Sequence, residues 1–413
     1  MKILQISAAD SKGGVGKIVY RFNNYLKELG HQTSIFVGFK YSNLKEVFLI
    51  KKPNSLLLLA NKIAKKNVDG FLRRKLAYFL ADDIDLFSID DLFKSKEYKE
   101  ADVIHLNNLH GDYFKLKDLR RISREKKVVW TIHDFWAITG HCAYPFDCQK
   151  WQTGCKECPA LDMYPKIAWD NTKYLWSQKK KIYEDSKLNV VAYSLWTKNT
   201  LDKSILKNQN ISLIYNGIDD RIFKPYDKAE VRKELGLPLD KKIILYVAVD
   251  NQNDPRKGWY HVAKMIEKYK DVKDILFISI GSKRQYKEGN LWYFSYIGSD
   301  ELLSKFYSAA DVFISPSSAE TFGYTIAESM SCGTPVVAFE SGAIPEIIVH
   351  KETGYLVSDK NDKGLEEGVD YILKLSKEEY QKVSENSVKR IREKFHWRKM
   401  MEEYINLYKT ITN

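Results

Sequence analysis

The sequence lacks any long apolar stretch. No run approaches the roughly 20 apolar residues that a membrane-spanning helix needs, and the opening residues MKILQIS are too short and too polar for a signal peptide. We therefore expect an intracellular protein in reducing conditions. There, the five cysteines are more typical of thiols or metal ligands than of disulfides.

Glycine and proline are also scarce, with 21 and 10 among 413 residues. Together with 44% hydrophobic residues, this excludes a largely disordered chain and allows two or three domains with their own cores. Acidic residues are outnumbered, and the formal net charge is +12. This charge favours an anionic partner, which is a nucleic acid, a nucleotide substrate or an anionic membrane surface.

Short apolar strands alternate with helical patterns along the chain. Two runs of this alternation predict an α/β protein with two doubly wound domains, residues 1–218 and 219–395. A final helix at 396–413 is expected to pack back toward the first domain. The predicted strands are 3–8, 33–38, 101–107, 127–134, 188–194, 211–219, 241–249, 274–281, 293–298, 310–318 and 334–341.

The stretch SKGGVGKI, residues 11–18, follows the first strand and opens a helix that Gly30 closes. Free N–H groups at a helix start bind anions, so this turn predicts a phosphate site. The stretch differs from a P-loop at Ile18, where a Ser or Thr would hold magnesium. A P-loop ATPase with Asp134 as its acidic residue stays an alternative, and so do glycines that serve only a tight turn.

Two carboxylates follow the strand 310–318 in the stretch SSAETFGYTIAE, residues 317–328. If Ser317 and Ser318 cap a helix, Glu320 lies at or just before its first turn and Glu328 two turns later. Eight residues turn a helix by about 800°, so both carboxylates would lie within roughly 80° of each other. A helix N-terminal charge with a surface glutamate is the simpler interpretation.

The neighbouring motifs resemble those of the retaining glycosyltransferases of family four. These enzymes have the GT-B fold, in which two Rossmann-like domains face each other across a cleft. The 40–100 portion carries no such match. The matching motifs are GGVG (13–16), TIHDFW (131–136), YNGID (215–219), DPRKGW (254–259), SDELLSKFYSAADVFISPSSAETFG (299–323), Glu328, SCGTPVVA (331–338), GAIPEI (342–347) and ETGYLV (352–357).

The resemblance implies a nucleotide-sugar donor whose base, UDP or GDP, is not readable. Glu328 matches the carboxylate on the ribose hydroxyls, Glu320 a residue on the donor sugar, and Lys257 a lysine on the diphosphate. Many relatives carry an Arg about six residues before that lysine, where this chain has Asn251. The implied donor-binding residues are Gly13, Gly14, Val15, Arg256, Lys257, Glu320, Thr321, Phe322, Gly323 and Glu328.

The resemblance also implies the catalytic residues His133, Lys257 and Glu320. His133 matches a histidine that reaches the donor sugar, although a structural histidine at a strand end is the alternative. No protein base and no catalytic metal are expected, because the departing phosphate oxygen can take the acceptor proton. The metal-dependent glycosyltransferase fold usually needs an Asp-x-Asp at a strand end, and Asp83-Ile84-Asp85 lies outside any convincing strand.

Four of the five cysteines cluster at residues 140–159: Cys142, Cys148, Cys155 and Cys158. The last pair has the C-x2-C spacing common in zinc sites, which predicts a structural zinc. Free thiols or a disulfide pair are the alternatives. The same loop carries Tyr144, Phe146 and Trp151, which are candidates to line an acceptor site.

Residues 51–80 mix leucines with lysine and arginine, a composition typical of a helix at an anionic membrane surface. An ordinary amphipathic helix has the same composition. We therefore expect a cytoplasmic enzyme, peripheral at the inner membrane face, that transfers a sugar to a glycan or lipid-linked acceptor of surface polysaccharide. Nucleic acid is not expected as a partner. A non-catalytic lipid-surface scaffold is the alternative, and it would not need Glu320, Glu328 and Lys257 together.

Overall fold

The computed structural model describes residues 1–50, 68–249 and 254–413. The chain forms two compact units. Unit 1 consists of Met1–Tyr193, Thr197–Ile214 and Met401–Asn413, and unit 2 of Ser194–Trp196 and Tyr215–Met400. No helix within the described residues is long and apolar enough to cross a membrane.

Unit 1 is built on a seven-stranded sheet of order β3-β2-β1-β4-β5-β6-β7, in which all neighbours are parallel. Its strands are β1 (Lys2–Ala9), β2 (Gln32–Phe39), β3 (Val47–Leu49), β4 (Val103–Leu106), β5 (Lys127–Thr131), β6 (Asn189–Ala192) and β7 (Asn210–Leu213). The helices along this part of the chain are α1 (Gly13–Glu28), α2 (Val68–Leu80), α3 (Asp90–Lys94), α4 (Lys96–Glu100), α5 (Leu119–Glu125), α6 (Thr172–Glu184) and α7 (Leu195–Leu201).

Unit 2 has a second seven-stranded sheet, of order β10-β11-β9-β8-β12-β13-β14, in which only β10 and β11 are antiparallel. Its strands are β8 (Lys242–Val247), β9 (Ile275–Ser282), β10 (Tyr286–Glu288), β11 (Leu291–Ser295), β12 (Val312–Ser315), β13 (Val336–Phe339) and β14 (Gly354–Val357). Its helices are α8 (Lys228–Glu234), α9 (Trp259–Lys268), α10 (Asp300–Ala309), α11 (Tyr324–Ser331), α12 (Ile344–Ile347), α13 (Asp362–Leu373), α14 (Lys377–Lys394) and α15 (Trp397–Thr412).

Helix α1 shows how the apolar spacing makes these elements. Its positions Val19, Phe22 and Leu26 recur every three or four residues and are buried against the sheet. Gly30 closes the helix as predicted, with a φ of 77° and its N–H donating to the carbonyl of Lys27. Leu29, in contrast, is the C-cap and is exposed, because the helical spacing ends before it.

The end of α15 belongs to the core of unit 1. The Tyr408 hydroxyl lies 2.7 Å from Nδ1 of His105, and the Tyr404 hydroxyl lies 2.9 Å from Oγ1 of Thr131. His105 Nε2 is 2.7 Å from the same Thr131 oxygen. Burial lowers the pKa of His105 to about 3, so this network is neutral at physiological pH.

In each sheet the strand order reverses next to the first strand of the unit. The reversal lies between β1 and β4 in unit 1 and between β8 and β12 in unit 2. Open α/β sheets bind ligands at the carboxyl ends of the strands that flank such a reversal. This rule points to the segments 10–16 and 107–112 in unit 1 and to 254–258 and 316–323 in unit 2.

Three sequence predictions need correction or fall outside these residues. Strands β3, β10 and β14 were not predicted; they are the outer strands of the two sheets and only partly buried or exposed, so they lack the continuous apolar run of the inner strands. The strand predicted at 211–219 ends at Leu213, and a Cβ at Gly217 would lie 2.4 Å from Cα of Trp397, so close backbone approach explains this glycine. Of the predicted membrane-surface segment 51–80, residues 51–67 lie outside the described residues.

Candidate active site

The turn after β8 carries Arg256 and Lys257, the two cationic residues predicted to bind the donor. Each of them forms an ion pair with a different carboxylate. Residues Pro255–Lys257 form a 3-10 turn that Asp254 caps by accepting the N–H of Arg256 at 3.1 Å. The Arg256 guanidinium donates two hydrogen bonds to the same carboxylate, from Nε to Oδ1 at 2.9 Å and from Nη2 to Oδ2 at 2.6 Å. Lys257 instead points its Nζ at Oε1 of Glu320, 2.6 Å away.

Close backbone packing fixes this turn against the segment that carries Glu320. Gly258 has a φ of 71°, and a Cβ there would lie 2.2 Å from the carbonyl oxygen of Pro316, so only glycine fits. The N–H of Ser318 donates to the carbonyl of Arg256 at 2.9 Å. The Tyr246 hydroxyl donates to the carbonyl of Lys257 at 3.0 Å. The carboxyl ends of β8 and β12 are thereby joined at the reversal of the sheet.

The loop after β13 holds Glu320 from the other side. The N–H of Ala343 donates to the carbonyl of Glu320 at 3.0 Å. Gly342, with a φ of 56°, leaves no room for a side chain, because a Cβ would lie 2.2 Å from the same carbonyl oxygen. The backbone of Glu320 is thus held by the GAIPEI motif.

Helix α11 begins later than the sequence suggested. Its N-cap is Gly323, with a φ of 101°, and not Ser317 or Ser318. Glu320 therefore lies in the loop before the helix, and the predicted 80° relation to Glu328 on one helix is wrong. Thr321 and Phe322, also in this loop, are 7% and 2% exposed, so their side chains are packed inward.

Glu328 is a buried carboxylate on α11, 5% exposed. The Tyr307 hydroxyl donates to its Oε2 at 3.3 Å. A buried carboxylate is stable only with partners, and a ribose diol can supply two further donors. The role of Glu328 on the ribose hydroxyls stays a prediction, and Tyr307 was not predicted as its neighbour.

In unit 1 the predicted glycine turn is the first turn of α1. Lys12 is the N-cap and Gly13 begins the helix with a φ of 75°. A Cβ at Gly13 or Gly14 would meet no described atom within 4 Å, so this end of the helix is open. Val15 is partly buried. An anion could therefore approach the backbone N–H groups of this turn.

His133 follows β5, where the sequence placed it, and both of its ring nitrogens contact neighbours. Its Nε2 lies 2.9 Å from Oδ1 of Asn107, and its Nδ1 faces the Tyr193 hydroxyl. Burial lowers the pKa of His133 to about 3, so the ring is neutral. A neutral imidazole donates or accepts hydrogen bonds but supplies no positive charge.

Sequence reasoning missed a second histidine in unit 1. His110 Nε2 lies 2.8 Å from Oδ2 of Asp134, and both side chains are buried. Burial alone would lower the pKa of His110, but the Asp134 carboxylate outweighs it and raises that pKa. The sequence did carry a signal for this pair, because polar residues directly follow two strands, NNLHGD after β4 and HD after β5.

The four clustered cysteines form no disulfide bond. Burial raises the pKa of Cys142 to about 12 and that of Cys155 to about 11, and Sγ of Cys158 lies 3.5 Å from Nε2 of His141. Within the described ranges, no three His, Cys, Asp or Glu side chains are arranged to hold a metal ion. The structural zinc at Cys142, Cys148, Cys155 and Cys158 stays a prediction.

Solved structures define the class of fold. A sucrose-phosphate synthase from Thermosynechococcus elongatus aligns with a TM-score of 0.69 and 19% identity, over 99% of this chain and 98% of that chain. HepE of Anabaena, solved with UDP and glucose, aligns with a TM-score of 0.66 and 16% identity, over 98% and 99%. The fold is therefore that of the GT-B glycosyltransferases, with two Rossmann-like units.

Sequence comparison narrows the class to a family. The family described as Glycosyltransferase Family 4 matches residues 12–221, and Glycosyl transferases group 1 matches residues 227–390. An Escherichia coli protein provisionally named as the colanic acid biosynthesis glycosyl transferase WcaC is 24% identical over the full length of both chains. The chain belongs to glycosyltransferase family 4, as its sequence motifs predicted.

Proposed function

We propose that this protein is a retaining glycosyltransferase that moves one sugar from a nucleoside diphosphate donor to a glycan or lipid-linked acceptor. The observation that carries the proposal is the Lys257–Glu320 pair at the strand reversal of unit 2. A cation beside a carboxylate offers complementary partners for a diphosphate and for the hydroxyl groups of a sugar. The structural similarity to HepE, which was solved with UDP and glucose, supports a nucleotide-sugar donor.

In this proposal the site residues of unit 2 bind different parts of the donor. Glu328 accepts hydrogen bonds from the ribose hydroxyls, and Glu320 from hydroxyls of the transferred sugar. Lys257 binds the diphosphate, with Arg256 and the amides near Phe322 and Gly323 in support. The glycine turn at 13–15 contributes backbone N–H groups to the diphosphate.

The reaction forms a bond from the acceptor oxygen to the anomeric carbon and breaks the bond from that carbon to the diphosphate. The electron pair of the broken bond stays on the diphosphate oxygen, which takes the acceptor proton on the same face of the sugar. Lys257 stabilises the charge that grows on this oxygen, as a preorganised cation does in other transition states. His133 orients a hydroxyl of the sugar in this proposal, and to do so it must exchange one of its ring contacts, to Asn107 or to Tyr193, for that hydroxyl. No catalytic metal is required.

A lipid-linked acceptor and a cytoplasmic site at the inner membrane face are proposed from helix α2. Its large apolar side chains are exposed, which is unusual for a helix on a compact unit. Lys75 lies over the rings of Phe71 and Phe79, at 5.7 and 6.0 Å. The preceding residues 51–67 carry five lysines and no acidic residue. The exposed set is Phe71, Leu72, Leu76, Phe79 and Leu80.

Vesicle binding tests this membrane proposal. The chain should bind anionic vesicles, less at high salt because surface charge attraction is screened, and bind neutral vesicles weakly. Phe71→Ser with Phe79→Ser should weaken binding, whereas Leu239→Ser, at an equally exposed leucine of unit 2, should not. Equal binding to neutral and anionic vesicles would contradict the proposal.

The acceptor class and the role in surface polysaccharide synthesis follow by analogy. They rest on the full-length similarity to the Escherichia coli protein named for colanic acid biosynthesis. A non-catalytic lipid-surface scaffold remains the second candidate, favoured only by the exposed face of α2. It predicts vesicle binding without donor turnover. The ATPase alternative is set aside, because the glycine turn lies in a chain that belongs to a glycosyltransferase family.

A thermal-shift panel of nucleotides and nucleotide sugars tests the donor assignment. The panel contains UDP, GDP and ADP with their glucose or mannose derivatives. A ligand at 100 times its dissociation constant should add about 2.7 kcal/mol to the free energy of unfolding. The shift should appear for one base and should be reduced in Glu328→Gln but not in Glu340→Gln. A panel without any shift would contradict a nucleotide-sugar donor.

A further inference from the structure

A buried carboxylate in unit 1 has no hydrogen-bond partner among the residues that the structure describes. Asp112 is 8% exposed, and no hydrogen bond to its side chain is formed there. Its backbone has a φ of 64°, in the left-handed region, and follows Gly111 with a φ of 109°. Such a conformation is unfavourable for a residue with a side chain, and positions of this kind cluster at functional sites.

The position of Asp112 in the sheet points to a ligand. The segment 107–112 follows β4, which flanks the strand reversal of unit 1 together with β1. This is where open α/β sheets bind small molecules. The donor residues Lys257, Glu320 and Glu328 all belong to unit 2. Asp112 has no part in the donor binding proposed above, so the second substrate is the candidate ligand for this edge of the sheet.

Polar side chains and one tyrosine lie near Asp112, because the charges of Asp83 and His110 act on it and its own charge acts on Tyr164. His110 is fixed by Asp134 at 2.8 Å, and its Nδ1 lies 3.5 Å from the hydroxyl of Tyr164, a side chain that is 53% exposed. Asp83 is 5% exposed and accepts the Trp136 Nε1–H at 2.7 Å through Oδ2. Its Oδ1 is buried without any hydrogen-bond partner within the described ranges.

These groups select a class of ligand. Unsatisfied carboxylate oxygens accept hydrogen bonds from hydroxyl groups, and an exposed aromatic face offers apolar contact. The nearby charges are mixed, because Arg74, His110 and Arg73 oppose the carboxylates, so charge alone selects no ion. A neutral sugar carries many hydroxyl donors and an apolar ring face, so it matches both features.

We propose that Asp112 binds a hydroxyl group of the acceptor sugar, which makes Asp112 a residue that determines acceptor specificity. This inference rests on the proposed function, because it takes the second substrate to be a sugar. Asp112 binds and orients the acceptor, while the departing diphosphate oxygen still takes the proton of the attacking hydroxyl.

Acceptor binding at Asp112 should depend on pH. Burial and the charge of Asp83 raise the pKa of Asp112 to about 6, against the opposing effects of Arg74, His110 and Arg73. The carboxylate is the better acceptor of hydrogen bonds. Acceptor binding should therefore be complete at neutral pH and should be lost as the pH falls through about 6.

Ligand-observed NMR on the full chain with UDP present provides the test. The probes are the methyl glycosides of glucose, galactose, mannose, fucose and N-acetylglucosamine. At least one should bind the wild type, and Asp112→Asn should weaken it about ten- to a hundredfold, as expected for a lost hydrogen bond to a charged group. Asparagine tolerates left-handed backbone, so this variant should fold.

Controls separate this inference from the proposed function. Asp118→Asn, at another half-buried acid of unit 1 with a raised pKa, should bind like the wild type. UDP should still bind every variant. If no glycoside binds the wild type, or Asp112→Asn binds it as well as the wild type does, the acceptor site is refuted while UDP binding still stands.

Discussion

The Nζ of Lys257 lies 2.6 Å from Oε1 of Glu320, although 63 residues separate the two in the chain. One comes from the loop after β8 and the other from the loop after β12. The pair therefore marks the strand reversal of unit 2. An ammonium group has three donors, so Lys257 is able to keep Glu320 and still bind a phosphate oxygen.

The Glu328 carboxylate should affect donor binding more than chemistry. The ribose changes little during transfer, so Glu328→Gln should mostly raise the KM for the donor and leave kcat nearly unchanged. Steady-state kinetics of donor consumption measure both constants. Tyr307→Phe, which removes the hydroxyl at 3.3 Å, should raise KM by a smaller factor. A variant that loses kcat and keeps KM would place Glu328 at the reacting atoms instead.

Gly342 should affect catalysis because it leaves room for the backbone of Glu320. A Cβ at Gly342 would lie 2.2 Å from the Glu320 carbonyl oxygen, so Gly342→Ala should move that residue and reduce kcat/KM. Gly289 is the matched control, since its φ of 55° is equivalent but a Cβ there meets nothing within 4 Å. Each change should cost about 1–2 kcal/mol of stability from left-handed backbone. Equal activity in both variants would show that the loop after β13 does not position Glu320.

The ionised carboxylate of Asp112, which we propose binds the acceptor, should lower the free energy of unfolding. A pKa raised from 3.8 to about 6 means that its ionised form costs the fold up to about 3 kcal/mol at neutral pH. The unfolded carboxyl ionises first, so this cost appears as the pH rises from about 4 to 6. Asp112→Asn should therefore unfold at a higher temperature than the wild type at neutral pH and at the same temperature below about pH 4. A variant that is less stable at neutral pH would contradict the raised pKa.

Zinc binding by the cysteine loop remains open to a direct measurement. The C-x2-C pair at Cys155 and Cys158 predicts close to one zinc per chain by elemental analysis. Binding would require the buried thiols of Cys142 and Cys155 to lose their protons, so zinc uptake should release protons. Donor hydrolysis should survive chelation, because no residue of the loop is assigned to the donor. A folded protein that is purified without metal would refute the site.

The two sheets were predictable because their strands are buried on both faces and read as continuous apolar runs. The residues 312–315 of β12 illustrate this, since all four are buried. The start of α11 was not predictable in the same way. Serines at 317 and 318 suit an N-cap, but a left-handed Gly323 begins the helix instead, and the contacts that force it come from residues near 342–347.

The polar residues after β4 and β5 were missed for a related reason. His110 and Asp134 meet because β4 and β5 are neighbours in the sheet, and no local pattern states which strands pair. The unusual backbone of Asp112 is likewise a property of the folded loop. The sequence could identify Lys257 and Glu320 as functional only through the motifs around them, not through their contact.

The most direct test of the account is the turnover of a nucleotide sugar by wild type and Lys257→Ala, followed by the release of the nucleotide with and without EDTA. By analogy with the loss of one oxyanion donor, kcat should fall about 10²–10³-fold, or about 3–4 kcal/mol. Lys264→Ala, at an exposed lysine paired with Asp362, should keep normal kcat, and EDTA should leave wild-type activity intact. Near-normal kcat in Lys257→Ala, or loss of wild-type activity in EDTA, would contradict charge stabilisation by Lys257.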